Sequence, residues 1–276
     1  MTTVVITSEA KITSNGLSAS ARNGVLHLQL HRPERLNAFT AELITDIRGY
    51  LAEARDDVTI RAVMFSGSGK AFSAGIDLAS GSGDEKPGWF AKRMRDTYHA
   101  LMQEMVSYPK PVITAVHGVC VGGAMGFITS SDIVLCSHSA RFILAFVKVG
   151  LVPDCGTSWG LPKRIGQARA RAWALLGDEI DGVTAANWGL VWKSTDEDKL
   201  MDETTRIAER LANGPAVAIQ QIKDLFNVSE NASLSTAFDA EVEAQITALA
   251  HPDAKEGRTA FLEERAAKFG VNRSEK

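Results

Sequence analysis

The sequence predicts an α/β fold followed by a helical C-terminal segment, and three observations carry this prediction. Over the first two thirds of the chain, apolar strand-like runs, Gly-rich turns and helical periodicity recur in that order. From about Lys199 the strand-like runs disappear and helical patterns continue. The 276 residues are 45% hydrophobic and 23% charged, which is enough apolar content for a sizeable core.

The first elements follow from local patterns. The run Val25–Leu30 alternates apolar and polar residues, which predicts a strand with one wet face. Thr40 precedes apolar residues at helical spacing, so it is expected to cap a helix that ends near Ala54. A second strand is predicted over 60–65, with a Gly-Ser-Gly turn directly after it.

The remaining elements are predicted in this order: an acidic, mobile surface loop over 81–87, an amphipathic helix over 89–106, a strand over 112–116, a turn over 118–123, a helix from 124, strands over 133–136 and 142–147, a helical pattern from 159, and helices over 200–213, 216–226, 234–248 and 254–269. We therefore divide the chain into a core over 1–198 and a helical segment over 199–276. The helical segment is expected to pack on the core or on a neighbouring subunit.

Composition argues against several classes of partner. A formal net charge of −3 with scattered charges gives no sign of a nucleic-acid surface, and no apolar stretch is long enough to span a membrane. The first residues lack a secretory pattern, and Cys120, Cys136 and Cys155 lack CxxC spacing, so we expect a cytoplasmic protein. No His, Cys, Asp or Glu cluster suggests a metal site.

Two Gly-rich loops are the first candidate site segments. Residues 71–78 read AFSAGIDL, and residues 115–126 read AVHGVCVGGAMG, with Gly-Gly at a predicted helix start. Backbone N–H groups in such loops can form a two-donor oxyanion hole that polarises a thioester carbonyl, and loss of one donor costs about 3 kcal/mol. The alternatives are a plain turn after a strand for the first loop and helix packing through small residues for the second.

Asp154 is the candidate base. It lies in the loop GLVPDCGT at 150–157, beside apolar residues, and such surroundings raise the pKa of a carboxyl group toward that of a general base. The alternative is that Asp154 caps the helix that starts near Gly156. Cys155 would need a histidine partner to act as a nucleophile, and none lies nearby in sequence.

Together and in this order, these loops resemble those of the crotonase (enoyl-CoA hydratase/isomerase) superfamily. Further matching segments are RPERLNA at 32–38, ANWGLV at 186–191 and EGRTAFLEER at 256–265, so the resemblance covers about 24–269. It implies a spiral of repeated ββα units with a C-terminal helical trimerisation segment. It also implies a homotrimer or dimer of trimers, and an acyl-CoA substrate with no permanently bound cofactor.

The resemblance further implies individual site residues. The N–H groups of Ile76 and Gly123 match the two oxyanion donors, within loops that include Gly75 and Gly122. Arg35, Leu36 and Ala38 match the segment that lies along coenzyme A, and Ala74, Asp77 and Leu78 match the loop on its adenine side. Phe261 and Lys268 match the C-terminal region that can reach a neighbour's coenzyme A.

The sequence departs from the hydratase pattern at two positions. A hydratase holds and activates water with two glutamates, and the matching positions here are Gly126 and Phe146. Neither residue exchanges a proton, and Phe146 would make the water site apolar. Loss of acid–base assistance often costs a factor of about one hundred or more for each group.

Asp154 matches an aspartate found in several isomerase branches of the superfamily. They include the dienoyl-CoA isomerases and the phenylacetate-pathway ring isomerases, and residues 147–161 and 174–177 look closest to the latter. A dehalogenase branch uses a similarly placed aspartate as a nucleophile, but it also requires a histidine base and an activated aryl ring, and it is ranked lower. His99 and His138 show no partner spacing.

Three interpretations therefore remain open. The first is an enoyl-CoA isomerase in which Asp154 moves a proton between carbons while the two N–H groups hold the dienolate. The second is a hydratase with displaced acid–base groups, such as Asp84 and Glu85, and the third is a non-catalytic acyl-CoA-binding member. Candidates for the acyl pocket wall, each of which could instead be core packing, are Phe142, Phe146, Trp159 and residues 81–89.

Overall fold

The computed structural model describes residues 6–81, 88–229 and 232–270 of the chain. The strands are β1 (Lys11–Ile12), β2 (Leu17–Arg22), β3 (Val25–Leu30), β4 (Ala62–Gly67), β5 (Ala71–Ser73), β6 (Val112–Val116), β7 (Val119–Val121), β8 (Ile133–Ser137), β9 (Arg141–Ile143), β10 (Glu179–Asp181) and β11 (Lys193–Thr195). The helices are α1 (Ala41–Asp56), α2 (Trp89–Arg93), α3 (Ala100–Val106), α4 (Gly123–Thr129), α5 (Thr157–Ile165), α6 (Gln167–Leu176), α7 (Gly182–Trp188), α8 (Glu197–Ala212), α9 (Ala216–Ser229), α10 (Leu234–Ala250) and α11 (Pro252–Leu262).

The strands form two sheets, and successive segments of the chain add strands to both of them. The larger sheet has the order β1-β2-β3-β4-β6-β8-β11, antiparallel up to β3 and parallel beyond it. The smaller sheet has the order β10-β9-β7-β5. Because β4 and β5, β6 and β7, and β8 and β9 add one strand to each sheet in turn, the predicted spiral of ββα repeats is confirmed.

The larger sheet is covered on both faces, which explains its continuous apolar strands. Val63 and Phe65 of β4 face the main core, whereas Ala62 and Met64 belong to a second core cluster that includes Ile207 of α8. Every residue of β4 and β6 is therefore buried, as is usual for parallel strands between two layers. The helix α8, the first of the predicted C-terminal segment, is thus part of the core packing, and the division at 198/199 stays a prediction.

The last helices leave much apolar surface uncovered in the single chain. Among the described side chains of α9 none is buried. Large apolar side chains stay exposed along α9 and α10: Ile222, Phe226, Leu234, Phe238, Val242, Ile246 and Leu249. Apolar exposure of this extent is typical of an interface, and the predicted trimerisation role of the segment remains a prediction.

Several element boundaries differ from the predicted ones. The predicted strand over 142–147 ends at Ile143, and Phe146 lies in a 3₁₀ turn, Ala145–Val149. Within the predicted turn over 118–123, β7 pairs with β5 and β9, and α4 starts at Gly123. The helix predicted over 254–269 ends at Leu262. Buried apolar runs look alike in strands, 3₁₀ turns and helices, so periodicity alone could not separate them.

The segment before α3 is helical, as predicted, but it contains a π-helical stretch, Met94–His99. Residues 82–87 of the predicted acidic loop, with Asp84 and Glu85, lie outside the described residues.

In the part of the chain that the structure describes, no helix is long and apolar enough to cross a membrane.

Candidate active site

The first Gly-rich loop, 71–78, is fixed by a buried asparagine. Asn37 is fully buried and donates to the carbonyl oxygens of Ser68 and Ala71 at 2.8 and 2.7 Å. In return, Ser73 Oγ donates to the Asn37 carbonyl at 2.8 Å. Because unpaired buried polar groups are costly, these bonds hold the loop against the segment that precedes α1.

The N–H of Ile76 points away from the neighbouring backbone. Phe39 N donates to Gly75 O at 2.7 Å, and Asp77 N donates to Phe39 O at 2.9 Å. Such a parallel bridge uses the residues that flank Ile76, so the N–H of Ile76 itself is directed to the other side. Among the described residues this N–H has no acceptor.

The second Gly-rich loop brings another unpaired N–H to the same place. Gly122 has φ 57° and ψ −122°, a conformation that suits glycine, and it leads directly into α4. The N–H of Gly123 lies in the first turn of that helix and has no acceptor among the described residues. A Cβ on Gly75 would lie only 2.9 Å from Gly123 N and 2.5 Å from Val121 O, so the two loops cross here.

Asp154 starts a tight turn that lies against this crossing. We call residues 154–157 the Asp154 turn. Thr157 N donates to Asp154 O at 2.8 Å, and both central residues are left-handed, with φ 51° at Cys155 and 79° at Gly156, as in a type I′ turn.

The position of Gly123 shows how closely these groups meet. A Cβ built on Gly123 would lie 3.1 Å from Cγ1 of Ile76, 3.2 Å from Sγ of Cys155 and 3.6 Å from Oδ1 of Asp154. The predicted catalytic residues Ile76, Gly123 and Asp154 are therefore brought together, although they come from three separate segments of the chain.

The Asp154 carboxyl group combines a buried, unpaired oxygen with a raised pKa. Its Oδ1 is buried and has no hydrogen-bond partner among the described residues. Burial raises the pKa of Asp154 above its usual range, while the Cys155 thiol and the charge of His99 act in the opposite direction. Burial also raises the pKa of the Cys155 thiol, which is unfavourable for a nucleophile.

The alternative that Asp154 caps α5 with its side chain is wrong. The N-cap of α5 is Gly156, and no side chain accepts a hydrogen bond from the first turn. The backbone carbonyl of Asp154 closes the turn by accepting from Thr157 N, and the carboxylate does not act as a helix cap.

The two positions that match hydratase glutamates hold no acid–base group, and one of them has no room for a side chain. A Cβ on Gly126 would overlap the Cys155 carbonyl oxygen and lie 2.7 Å from the carbonyl carbon of Cys155. Phe146 is 7% exposed, and its Cζ lies 4.0 Å from the place of a Cβ on Gly122. Phe146 therefore borders the site, whereas Phe142 is fully buried in the core and half-exposed Trp159 stacks with Lys163.

The predicted residues on the coenzyme A side lie together at the first loop, where Ala38 is buried. Leu36 O accepts from Ala74 N at 2.9 Å, which joins the segment around Arg35, Leu36 and Ala38 to the loop. Asp77 forms an ion pair of 3.3 Å with Arg32, which the sequence patterns did not single out. Arg35, Leu36 and Leu78 are exposed beside this joint, as groups that contact a bound molecule must be.

The C-terminal candidates lie apart from this surface in sequence and in packing. Phe261, near the end of α11, is 81% exposed, and Lys268 donates its N–H to Glu256 Oε1 at 2.8 Å. The roles predicted for them involve a neighbouring subunit, and both stay predictions.

Sequence reasoning found no partner for His99. It ends the π-helical stretch, is only partly buried, and lies near enough to Asp154 for its charge to lower the pKa of that group. The residue before it, Tyr98, donates from its hydroxyl to Phe39 O at 3.3 Å, which fixes the stretch beside the Ile76 bridge. No spacing signal could have revealed a partner 55 residues away on another element.

Within the described ranges, no group of three or more His, Cys, Asp or Glu residues could hold a metal ion.

Comparisons with known proteins show the family to which the chain belongs. The family model for enoyl-CoA hydratase/isomerase matches residues 20–272. The chain is 38% identical over 251 residues to the 1,2-epoxyphenylacetyl-CoA isomerase of Escherichia coli K12, covering 89% of this chain and 95% of that protein. It is 28% identical over 239 residues to the 4-chlorobenzoyl coenzyme A dehalogenase-2 of an Arthrobacter species, covering 86% of each.

A solved structure extends the similarity to three dimensions. An enoyl-CoA hydratase from Polaromonas sp. JS666 is 29% identical and superposes with a TM-score of 0.87, covering 92% of this chain and 99% of that one. The fold, the crossing of the two Gly-rich loops and the family match point to one conclusion: this chain is a member of the enoyl-CoA hydratase/isomerase family.

Proposed function

We propose that the protein is an acyl-CoA isomerase that transfers a proton with Asp154 as its single base. The observation that carries the proposal is the unpartnered, buried Oδ1 of Asp154 beside Gly123, where the unpaired N–H groups of Gly123 and Ile76 meet. This combination provides a base and two donors for a developing oxyanion within one small space.

The proposed reaction begins with the thioester oxygen accepting hydrogen bonds from Ile76 N and Gly123 N. This polarisation makes a nearby C–H acidic, and the ionised Asp154 carboxylate takes that proton. The dienolate oxygen stays bound to the same two N–H groups. Asp154 then returns the proton to a different carbon, which shifts the double bond and restores the carboxylate.

The remaining predicted roles belong to this proposal. Coenzyme A enters as part of the substrate and contacts the exposed surface around Arg35, Leu36 and Leu78, with no resident cofactor required. The exposed apolar side chains of α9 and α10 support assembly into a homotrimer or a dimer of trimers. The proposed location of this assembly is the cytoplasm.

Hydration is disfavoured by the same site. An added water needs a second group to hold and activate it, but the backbone of Cys155 fills the space next to Gly126, and Phe146 is apolar. In the described part of the site, Asp154 is the carboxylate beside Gly123.

The test is to incubate the protein separately with a 3-enoyl-CoA and a 2-enoyl-CoA, and to follow double-bond migration and water addition by absorbance and mass. We expect migration without hydration, and a loss of about 100-fold or more in Asp154→Asn because the base is removed. Asp196→Asn, an exposed carboxylate paired with Lys199, is the matched control and should keep the rate. Hydration that survives in Asp154→Asn would overturn the proposal, and binding of acyl-CoA without any turnover would favour a non-catalytic member.

A second candidate is halide displacement from an aryl-CoA, favoured by the similarity to 4-chlorobenzoyl coenzyme A dehalogenase-2 and by the charge of His99, which acts on Asp154. In that reaction an Asp154 oxygen bonds to the ring carbon that carries the halogen, and the halide leaves with its bonding electrons. Water, deprotonated by His99, then hydrolyses the aryl ester at the Asp154 carboxyl carbon and releases a hydroxyaryl-CoA.

Chloride release from 4-chlorobenzoyl-CoA separates the two candidates. The isomerase proposal predicts no chloride above the rate of a protein-free control, together with migration in the 3-enoyl-CoA assay. Catalytic chloride release that disappears in both Asp154→Asn and His99→Gln, without migration, would replace the isomerase by a dehalogenase.

A further inference from the structure

Gly126 lies where the Asp154 turn touches α4. A Cβ on this residue would overlap the carbonyl oxygen of Cys155, and would lie 2.7 Å from its carbonyl carbon and 2.8 Å from its Cβ. Real Cβ atoms do not approach other atoms this closely, and two of the three atoms belong to the backbone, which cannot rotate away. Position 126 therefore accepts only glycine while the turn keeps its place.

Gly126 continues a contact that starts at Gly123. The two residues are three apart in α4, so they share one face of the helix. Cys155 lies against both of them, with its Sγ near Gly123 and its carbonyl against Gly126. The Asp154 turn thus lies on a face of α4 from which no side chain projects.

We infer that Gly126 is a positioning residue for Asp154: the missing Cβ lets the Asp154 turn lie on α4 and holds the carboxylate beside the N–H groups of Ile76 and Gly123. This inference rests on the proposed role of Asp154 as the base. It adds that the precision of the proton transfer depends on a residue that contacts neither substrate nor reacting atoms.

The expected effect follows from the size of the overlap. An alanine at 126 displaces the Cys155 backbone by about 1 Å, and Asp154 moves with it because the two residues are adjacent. A misplacement of this order can cost about 100-fold in rate. The surface around Leu36 and Asp77 is held by its own hydrogen bonds, so binding of coenzyme A is preserved.

The experiment compares Gly126→Ala with Gly160→Ala. Gly160 lies on α5, where an added Cβ would lie 2.7 Å from Oγ1 of Thr129 at the end of α4. This control therefore adds a close contact between α4 and α5 at a place that does not involve the Asp154 turn. We expect Gly126→Ala to lower kcat about 10- to 100-fold, with KM and the Kd of coenzyme A changed less than threefold. Gly160→Ala should keep kcat within about threefold.

Cysteine labelling reports where the structure changes. Cys120, Cys136 and Cys155 are all buried free thiols, and only Cys155 lies in the Asp154 turn. In Gly126→Ala, peptide mass spectrometry after brief thiol labelling should find modification at Cys155, with Cys120 and Cys136 protected as in the unmodified protein. Labelling at all three would overturn the inference, because Gly126 would then support the fold in general.

A double variant separates failure of this inference from failure of the proposed function. If Gly126 acts through Asp154, adding Gly126→Ala to Asp154→Asn causes no further loss of rate. Full additivity of the two losses, or an unchanged kcat in Gly126→Ala alone, overturns the inference. If Asp154→Asn itself remains active, the proposed function fails independently of any result at Gly126.

Discussion

The two halves of the candidate site are built in different ways. On one side, the Gly-rich loops offer backbone N–H groups of Ile76 and Gly123, and the side chains there have only to leave space. On the other side, the Asp154 turn offers a single side chain, and its backbone has only to hold that side chain in place. Substitutions should therefore reduce activity for different reasons in the two halves. In the loops the volume of an added side chain is decisive, and in the turn the chemical identity of the side chain is decisive.

The largest effect outside Asp154 itself is expected where a loop glycine is filled. Gly75 has φ 84°, and a Cβ there would lie 2.5 Å from Val121 O and 2.9 Å from Gly123 N. Gly75→Ala should push the two loops apart and lower kcat/KM by about 100-fold or more, because one donor is lost together with its alignment. Steady-state kinetics measures this, with Gly166→Ala as the control, since no described atom lies within 4 Å of its added Cβ although its φ is also positive, at 79°. Equal effects in the two variants would attribute the loss to backbone strain.

An intermediate effect is expected from the charge that acts on the turn. Asp154 must be ionised to accept a proton, and burial raises its pKa. The plot of kcat/KM against pH should therefore have an acidic limb, in which kcat/KM falls as the pH is lowered, with a midpoint above the usual pKa range of aspartate. His99 lowers this pKa, so His99→Gln should move the limb to higher pH and leave the neutral plateau nearly unchanged.

The control for that pH profile is His138→Gln, a half-exposed histidine that lies 3.9 Å from Asp196. Its limb should coincide with that of the unmodified protein. A limb that moves to lower pH in His99→Gln would contradict the electrostatic relation between His99 and Asp154.

The smallest effect is expected when the side chain of a backbone donor is changed. Ile76→Val removes one methyl group and keeps the N–H in place, so kcat/KM should change by less than about threefold, in line with the low cost of Ile-to-Val exchanges. Asp154→Glu, a change of similar size in the turn, should lose clearly more because it moves the carboxylate. If the two variants lost equally, the distinction between the halves would fail.

The sequence was most informative where local chemistry decides the structure. Thr40 caps α1 through its side chain, as predicted, by accepting from Leu43 N at 3.2 Å. The Gly-rich loops could be identified because the close approach of two backbones leaves glycine as the suitable residue.

What escaped prediction depends on contacts between distant segments. Three features involve residues whose neighbours in space are remote in sequence: the 3₁₀ turn that carries Phe146, the effect of His99 on Asp154, and the overlap at Gly126. The family resemblance supplied the positions of Gly126 and Phe146, but only the structure shows that the Cys155 backbone occupies the space beside Gly126.

The contact between Gly126 and Cys155 also limits how such a site can evolve. A relative with a side chain at position 126 cannot acquire this turn by changing the turn alone, and this chain cannot regain such a side chain without first moving the turn. The effect of a substitution at position 126 thus depends on where the turn lies, which is a case of epistasis. A mutational route from a side chain at position 126 to the present turn has to pass through a protein with glycine at position 126 and the turn in another place. A designer who wishes to convert one chemistry into the other should therefore exchange the helix face and the turn together.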